Sequence, residues 1–159
     1  MKNLHLRLWI GFIGALVLSI LPMPELVTAF RPPWMLLLVL YIEYYLPGKF
    51  NLAILLLMGL MLDVLLSTVI GEHSFALLLV TWIASGKSRR FQFFSMVQQI
   101  CLIGFFCLLY QAVISLTDGL LGFNYNLLMP LGSALTGMFI WPWVRLLGDG
   151  SLLNRLTYR

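Results

Sequence analysis

Leu52-Ala-Ile-Leu-Leu-Leu-Met-Gly-Leu-Met-Leu-Asp-Val-Leu-Leu-Ser-Thr-Val-Ile70 decides how the chain is read. The run is long enough to cross a bilayer as a helix, and it carries one acid, Asp63. A carboxylate at that depth in hydrocarbon costs about 2.5 to 3.5 kcal/mol on insertion scales unless something shields it. Asp63 therefore needs either a partner or a chemical role.

The rest of the sequence supports the membrane reading. Of 159 residues, 61% are hydrophobic and 10% charged, and mean hydropathy is +0.96. A soluble domain cannot hide that much apolar surface behind so few charges. The ten Lys and Arg residues lie at the ends of apolar runs and form no basic stripe, so nucleic acid is not an expected partner. Cys101 and Cys107 stand six positions apart in one apolar segment, on different helix faces, which argues against a disulfide or a shared metal. Lys2 and Arg7 before Leu8 to Leu21 resemble a secretory signal, with Val27-Thr28-Ala29 as a cleavage site, but a retained first helix is the expectation given five further apolar spans.

Apolar stretches between charged or Pro/Gly breaks predict six transmembrane helices near 6–24, 33–46, 50–70, 73–86, 93–117 and 126–147, one all-α membrane domain over 1–159. The second and fourth are short, so they must be packed inside the bundle, extended into flanking residues or met by a thinned bilayer. A cytoplasmic N-terminus places Lys2, Arg7, Lys49, Lys87, Arg89, Arg90, Arg145, Arg155 and Arg159 inside and Arg31 outside. By the positive-inside rule both termini are then cytoplasmic, with Glu25, Glu72 and Asp118 external. Short loops predict that consecutive helices are antiparallel neighbours.

That topology puts Asp63 in the outer half of the membrane, about 20 Å above the inner boundary. Arg31, outside the start of the second helix, is its expected partner, directly or through a bridging water, if helices two and three form a hairpin. Aspartyl catalysis needs two close carboxylates, and Glu43 lies near the inner end, where it is expected to snorkel toward Lys49. His5 and His73 lack ligand spacing for a metal. Ser67, Ser85 and Ser115 lack an activating base, and no phosphate loop is present. Neither a cofactor nor an enzymatic reaction is expected. Small residues at helical spacing remain: Gly11-x-x-Gly14-Ala15, Gly59, and Gly132-Ser133-x-x-Thr136-Gly137. They allow close packing, within the bundle or against a partner's helix. Trp141-Pro142-Trp143 combines a kink with two indoles expected to anchor at the inner interface.

Phe30-Arg31-Pro32-Pro33-Trp34, Met58-Gly59-x-x-x-Asp63 with Gly71 beyond it, and Trp141-Pro142-Trp143 occur in an order that resembles the bacterial rod shape-determining protein MreD family. The resemblance spans nearly the full length, with Pro33 a departure from the family pattern. It implies an inner-membrane, multi-pass subunit of the cell-elongation machinery, or elongasome, with a compact fold like the substrate-binding subunits of energy-coupling-factor transporters. The implied partners are MreC most directly, then the MreB filament, RodA and its class-B transpeptidase, with membrane lipid and a homodimer surface besides. Arg31, Pro32, Trp34, Gly59, Asp63, Gly71, Trp141 and Pro142 carry over as fold or partner-surface positions in peptidoglycan synthesis, and no catalytic site is implied. The basic inner turn Lys87-Ser-Arg89-Arg90 is a candidate contact for the filament or anionic lipid. The alternative is a vitamin-binding transporter subunit of the same shape, since Gly11-x-x-x-Ala15 resembles the docking pattern of such subunits. Its external polar groups, Glu25, Arg31, Glu72, His73, Asp118, Asn124 and Asn126, are few.

Overall fold

The computed structural model describes residues 2–21, 30–45, 51–86, 88–91, 93–122 and 128–156. These are all-helical: α1 Lys2–Ile20, α2 Trp34–Tyr45, α3 Leu52–Leu66, α4 Glu72–Ser85, the single turn α5 Ser88–Phe91, α6 Met96–Leu120 and α7 Leu128–Leu156. Glu25, Lys49, Lys87, Asn124 and Asn126 lie outside the described residues, as do the side chains of His5 and Arg89. The expected Glu43–Lys49 contact lies outside them too.

Local sequence explains the boundaries. Ser95 and Gln98 form a capping box: Ser95 Oγ accepts from Gln98 N, and Gln98 Oε1 accepts from Ser95 N. α3 ends at Leu66, short of the predicted Ile70, because Ser67 turns left-handed at φ 53° and Thr68 N–H donates back to the Asp63 carbonyl at 3.1 Å. α7 continues through Pro142 to Leu156, beyond the predicted 147. The predicted inner loop at Gly86–Arg90 contains the turn α5. Among the described residues α6, at 25 residues, is long and apolar enough to cross a membrane by length and composition.

α2 is the centre of the bundle. Met35, Leu36, Leu37, Val39, Leu40 and Tyr44 are at most 1% exposed, as expected of a helix apolar on every side. It packs on α1, α4, α5, α6 and α7, which is the answer to its shortness. α3 packs chiefly on α4, and α6 on α7. The expected α2–α3 hairpin is not a packed pair. The other long helices do pack in sequence, α1 on α2, α3 on α4, α4 on α6 and α6 on α7, but α2 lies inside and α3 on the flank, so connection by a short loop does not secure their contact.

The outside of the bundle is apolar. Trp9 and Ile10 on α1, Leu57 and Val64 on α3, Trp82 on α4, and Phe139 and Trp143 on α7 are all exposed. Patches of this extent are foreign to monomeric soluble proteins. Buried polar residues, by contrast, include Asp63, Glu72, Ser74, Gln99 and Ser133. Three of the small-residue positions turn inward as well, while Gly14 faces open space: a Cβ on Gly59 would meet the backbone of Ser74 on α4, one on Gly137 would meet Cys107, and one on Gly11 would lie 3.1 Å from Leu38. The close approaches of Gly59, Gly137 and Gly11 are therefore within the bundle.

Candidate functional site

Asp63 is 1% exposed, and its partner is the N-terminus of α4. Gly71 N donates to Oδ2 at 2.8 Å and His73 N to Oδ1 at 2.9 Å, with the His73 Nδ1 3.0 Å from Oδ1. Ser74 Oγ lies 3.4 Å from Oδ2 and 3.3 Å from the Leu56 carbonyl, and Thr68 Oγ1 lies 3.5 Å from Oδ1. The first N–H groups of a helix have no intrahelical acceptor, and its macrodipole presents positive charge there. Gly71, the N-cap residue, has no side chain with which to satisfy them, so Asp63 caps α4 from the preceding helix. Gly71 adopts φ 100°, a left-handed conformation that suits glycine and points its N–H at the carboxylate. Gly59, one turn earlier, lets Ser74 approach. Gly59, Asp63 and Gly71 thus form one clasp between α3 and α4.

The expected direct Asp63–Arg31 pair is corrected by this geometry. Asp63 is paired with the His73 ring, with Nδ1 3.0 Å from Oδ1, and not with Arg31. Since α2 and α3 hardly touch, Arg31 is not delivered to Asp63. It lines a cavity of about 370 Å³ beside the clasp, together with Pro32 and Trp34 at the head of α2, Thr68, Glu72 and His73 before and at the start of α4, Tyr110, Gln111 and Asp118 on α6, Ser19 on α1 and Ser133 on α7. Arg31 Nη2, Trp34 Nε1 and Ser133 Oγ are buried without a hydrogen-bond partner. The His73 and Tyr110 rings meet in a T-shaped arrangement, with centroids 6.1 Å apart.

Glu72 is the acid that sequence reasoning misjudged. Expected in an external loop, it is 5% exposed and shares the cavity with Asp118. Burial, and then the charge of Asp118, push its carboxyl up to about 7, against a hydrogen bond from Thr117 that lowers it. The external polar groups that looked scattered in sequence therefore converge: Arg31, Glu72, His73 and Asp118 line one space. A usable signal was the Gly71-Glu72-His73 start of α4 eight residues after Asp63.

The other end of the bundle is built from aromatic rings. Tyr44 and Phe91 stack at 3.7 Å, and Trp141 meets Phe91 edge-on at 5.8 Å. Trp141 is fully buried, which corrects its expected interfacial role; Trp143 is 69% exposed. The difference follows helix geometry, because two residues along a helix turn by about 200°. Gln99, fully buried, donates to the Phe91 and Phe94 carbonyls and accepts from Arg145 Nη1 at 3.2 Å. Pro142 sits within α7 between the two tryptophans, and Arg90 is exposed on α5. Among the described residues no group of three or more His, Cys, Asp or Glu is placed to hold a metal.

Residues 1–149 match the family model described as rod shape-determining protein MreD. The chain is also 26% identical over 136 residues to the rod shape-determining protein MreD of Haemophilus influenzae, covering 86% of this chain and 84% of that protein. No solved structure matches it.

Proposed function

We propose a role that starts from membership: this chain belongs to the rod shape-determining MreD family of membrane proteins. Within that family role, it acts as a non-catalytic subunit of the bacterial cell-elongation complex in the cytoplasmic membrane. It binds MreC and helps couple the MreB filament to RodA and the class-B transpeptidase. The observation that carries this reading is the family match along residues 1–149. The apolar exterior, with Leu57, Val64, Phe139 and Trp143 turned outward, suits a protein surrounded by lipid and by helices of partners. We take the chain to cross the membrane six times with both termini inside, on the nine-to-one distribution of Lys and Arg. Because the glycine faces at Gly59 and Gly137 are used within the bundle, the MreC-binding surface is assigned to the exposed apolar flanks. The basic turn at Lys87, Arg89 and Arg90 then faces the cytoplasm, toward the filament or anionic lipid.

Affinity purification of the intact chain from native membranes in mild detergent tests the assignment. Recovery of MreC with the elongation synthases is the expected result. Recovery of an ATPase-linked transporter module instead rejects it in favour of the vitamin-binding reading, which the polar cavity at Arg31 and Glu72 favours. Charge reversal at Lys87, Arg89 and Arg90 is expected to weaken filament recruitment while the protein stays in the membrane; unchanged recruitment rules the turn out as a contact.

A further inference from the structure

The cavity beside the clasp has more hydrogen-bonding capacity than the protein uses. Arg31 Nη2, Trp34 Nε1 and Ser133 Oγ are all buried and all without partners, and the three residues that carry them line it. Ser133 is 1% exposed, so its unused hydroxyl cannot turn to bulk solvent. Leaving a buried donor unsatisfied costs about 1 to 3 kcal/mol, so three of them around one space mark a place where acceptor atoms belong. They come from three separate segments: the stretch before α2, the first turn of α2, and α7. A group met from several directions suits a tetrahedral phosphate better than a planar carboxylate, which takes a fork in one plane. The same cavity holds Glu72 and Asp118, two acids that would oppose a purely anionic ligand. They call for a cation within the same molecule.

We propose that this cavity binds a zwitterionic phosphate–ammonium group of the phosphoethanolamine type. The phosphate sits on Arg31, Trp34 and Ser133, and the ammonium on Glu72 and Asp118. A volume of about 370 Å³ accommodates such a head group, and Leu66 on the wall offers apolar contact for the glycerol and acyl portion of a lipid. The ligand is either a lipid head group or the free zwitterion. The lipid source rests on the membrane reading but not on the MreC partnership, so failure to recover MreC leaves this site untouched.

The test uses the full chain, delipidated in dodecyl maltoside. Binding is read by native mass spectrometry and thermal shift with phosphatidylethanolamine, phosphatidylglycerol and free O-phosphoethanolamine. Phosphatidylethanolamine is expected to bind on the order of tenfold more tightly than phosphatidylglycerol, the scale of one charge-assisted hydrogen bond. Arg31→Gln and Ser133→Ala should each weaken it, and Glu72→Gln with Asp118→Asn should erase the preference over phosphatidylglycerol. Ser133→Ala removes one buried oxygen and no charge, so it keeps the test decisive if Arg31→Gln fails to fold. Competition by free O-phosphoethanolamine identifies a soluble zwitterion as ligand, whereas lipid binding without that competition identifies the head group. Equal binding of the two lipids, or phosphatidylethanolamine binding unaffected by Ser133→Ala, overturns the proposal, as does binding of none of the three probes.

Discussion

The two ends of the bundle solve the same problem with opposite chemistry. At the end where α4 begins, a buried carboxylate gathers backbone and side-chain donors, and a cavity remains beside it with donors to spare. At the end where α2 finishes, Tyr44, Phe91 and Trp141 close the space with rings, and both ends of the Gln99 amide are in use. The aromatic end also buries Trp141 Nε1 without a partner, but there packed rings hold the helices together, whereas residues with open donors that line a cavity are shaped to receive something.

The largest expected effect lies at the aromatic end. Trp141→Ala removes the ring packed edge-on against Phe91 and should lower stability by about 3 to 5 kcal/mol, the range for large aromatic truncations in a packed interior. Trp143→Ala, on the exposed side of the same helix, should change it by less than about 0.5 kcal/mol. Thermal unfolding of the detergent-solubilised variants gives both numbers, and equal losses would contradict the burial contrast.

The clasp ranks second. Asp63→Ala strands the Gly71 and His73 amides at the head of α4 and should cost about 3 kcal/mol, whereas Asp63→Asn keeps an acceptor oxygen and should lose less. Hydrogen exchange confined to the first turn of α4 would locate the damage. Uniform loss of protection would show that Asp63 supports more than this cap.

A smaller effect separates clasp from cavity. Glu72 ionises near the ordinary carboxyl value of 4.5 when unfolded but at about 7 when folded. Its folded pKa is raised, so the unfolded chain gives up the proton first and stability falls as pH rises through that window, then levels above it. In Glu72→Gln the midpoint of unfolding should lose this component of its pH dependence between about 5 and 7. An unchanged profile would place the titration elsewhere.

The smallest expected number is a coupling close to zero. Arg31 lines the cavity and makes no ion pair with Asp63, so losses from Arg31→Ala and Asp63→Ala should add to within about 0.5 kcal/mol. A double variant no worse than either single one would restore the pairing expected from sequence.

Much of the architecture was legible in the sequence because apolar periodicity and breaker residues act locally. The helices fall close to the predicted stretches, and the short second segment was already constrained, with burial inside the bundle one of its few solutions. Asp63 was legible as a residue in need of partners, since the penalty for an unshielded buried carboxylate does not depend on the fold. Its partners were not, because a sequential-hairpin assumption chose Arg31, while the actual neighbour is set by α3 packing on α4. Trp141 and Trp143 were indistinguishable as interfacial indoles because composition does not say which face of α7 meets Phe91.

An apolar, all-helical chain, its helix-length segments, the charges at their ends and the demand made by one buried acid are all written in the order of the residues. These follow from side-chain chemistry and from the need of every backbone polar group for a partner. That the acid caps α4, that α2 forms the core, and that Arg31, Trp34, Glu72, Asp118 and Ser133 line one cavity emerged with the packed bundle alone. Those outcomes depend on which helix faces meet. Contact between segments distant along the chain is set by packing of the whole bundle, and no local pattern specifies it.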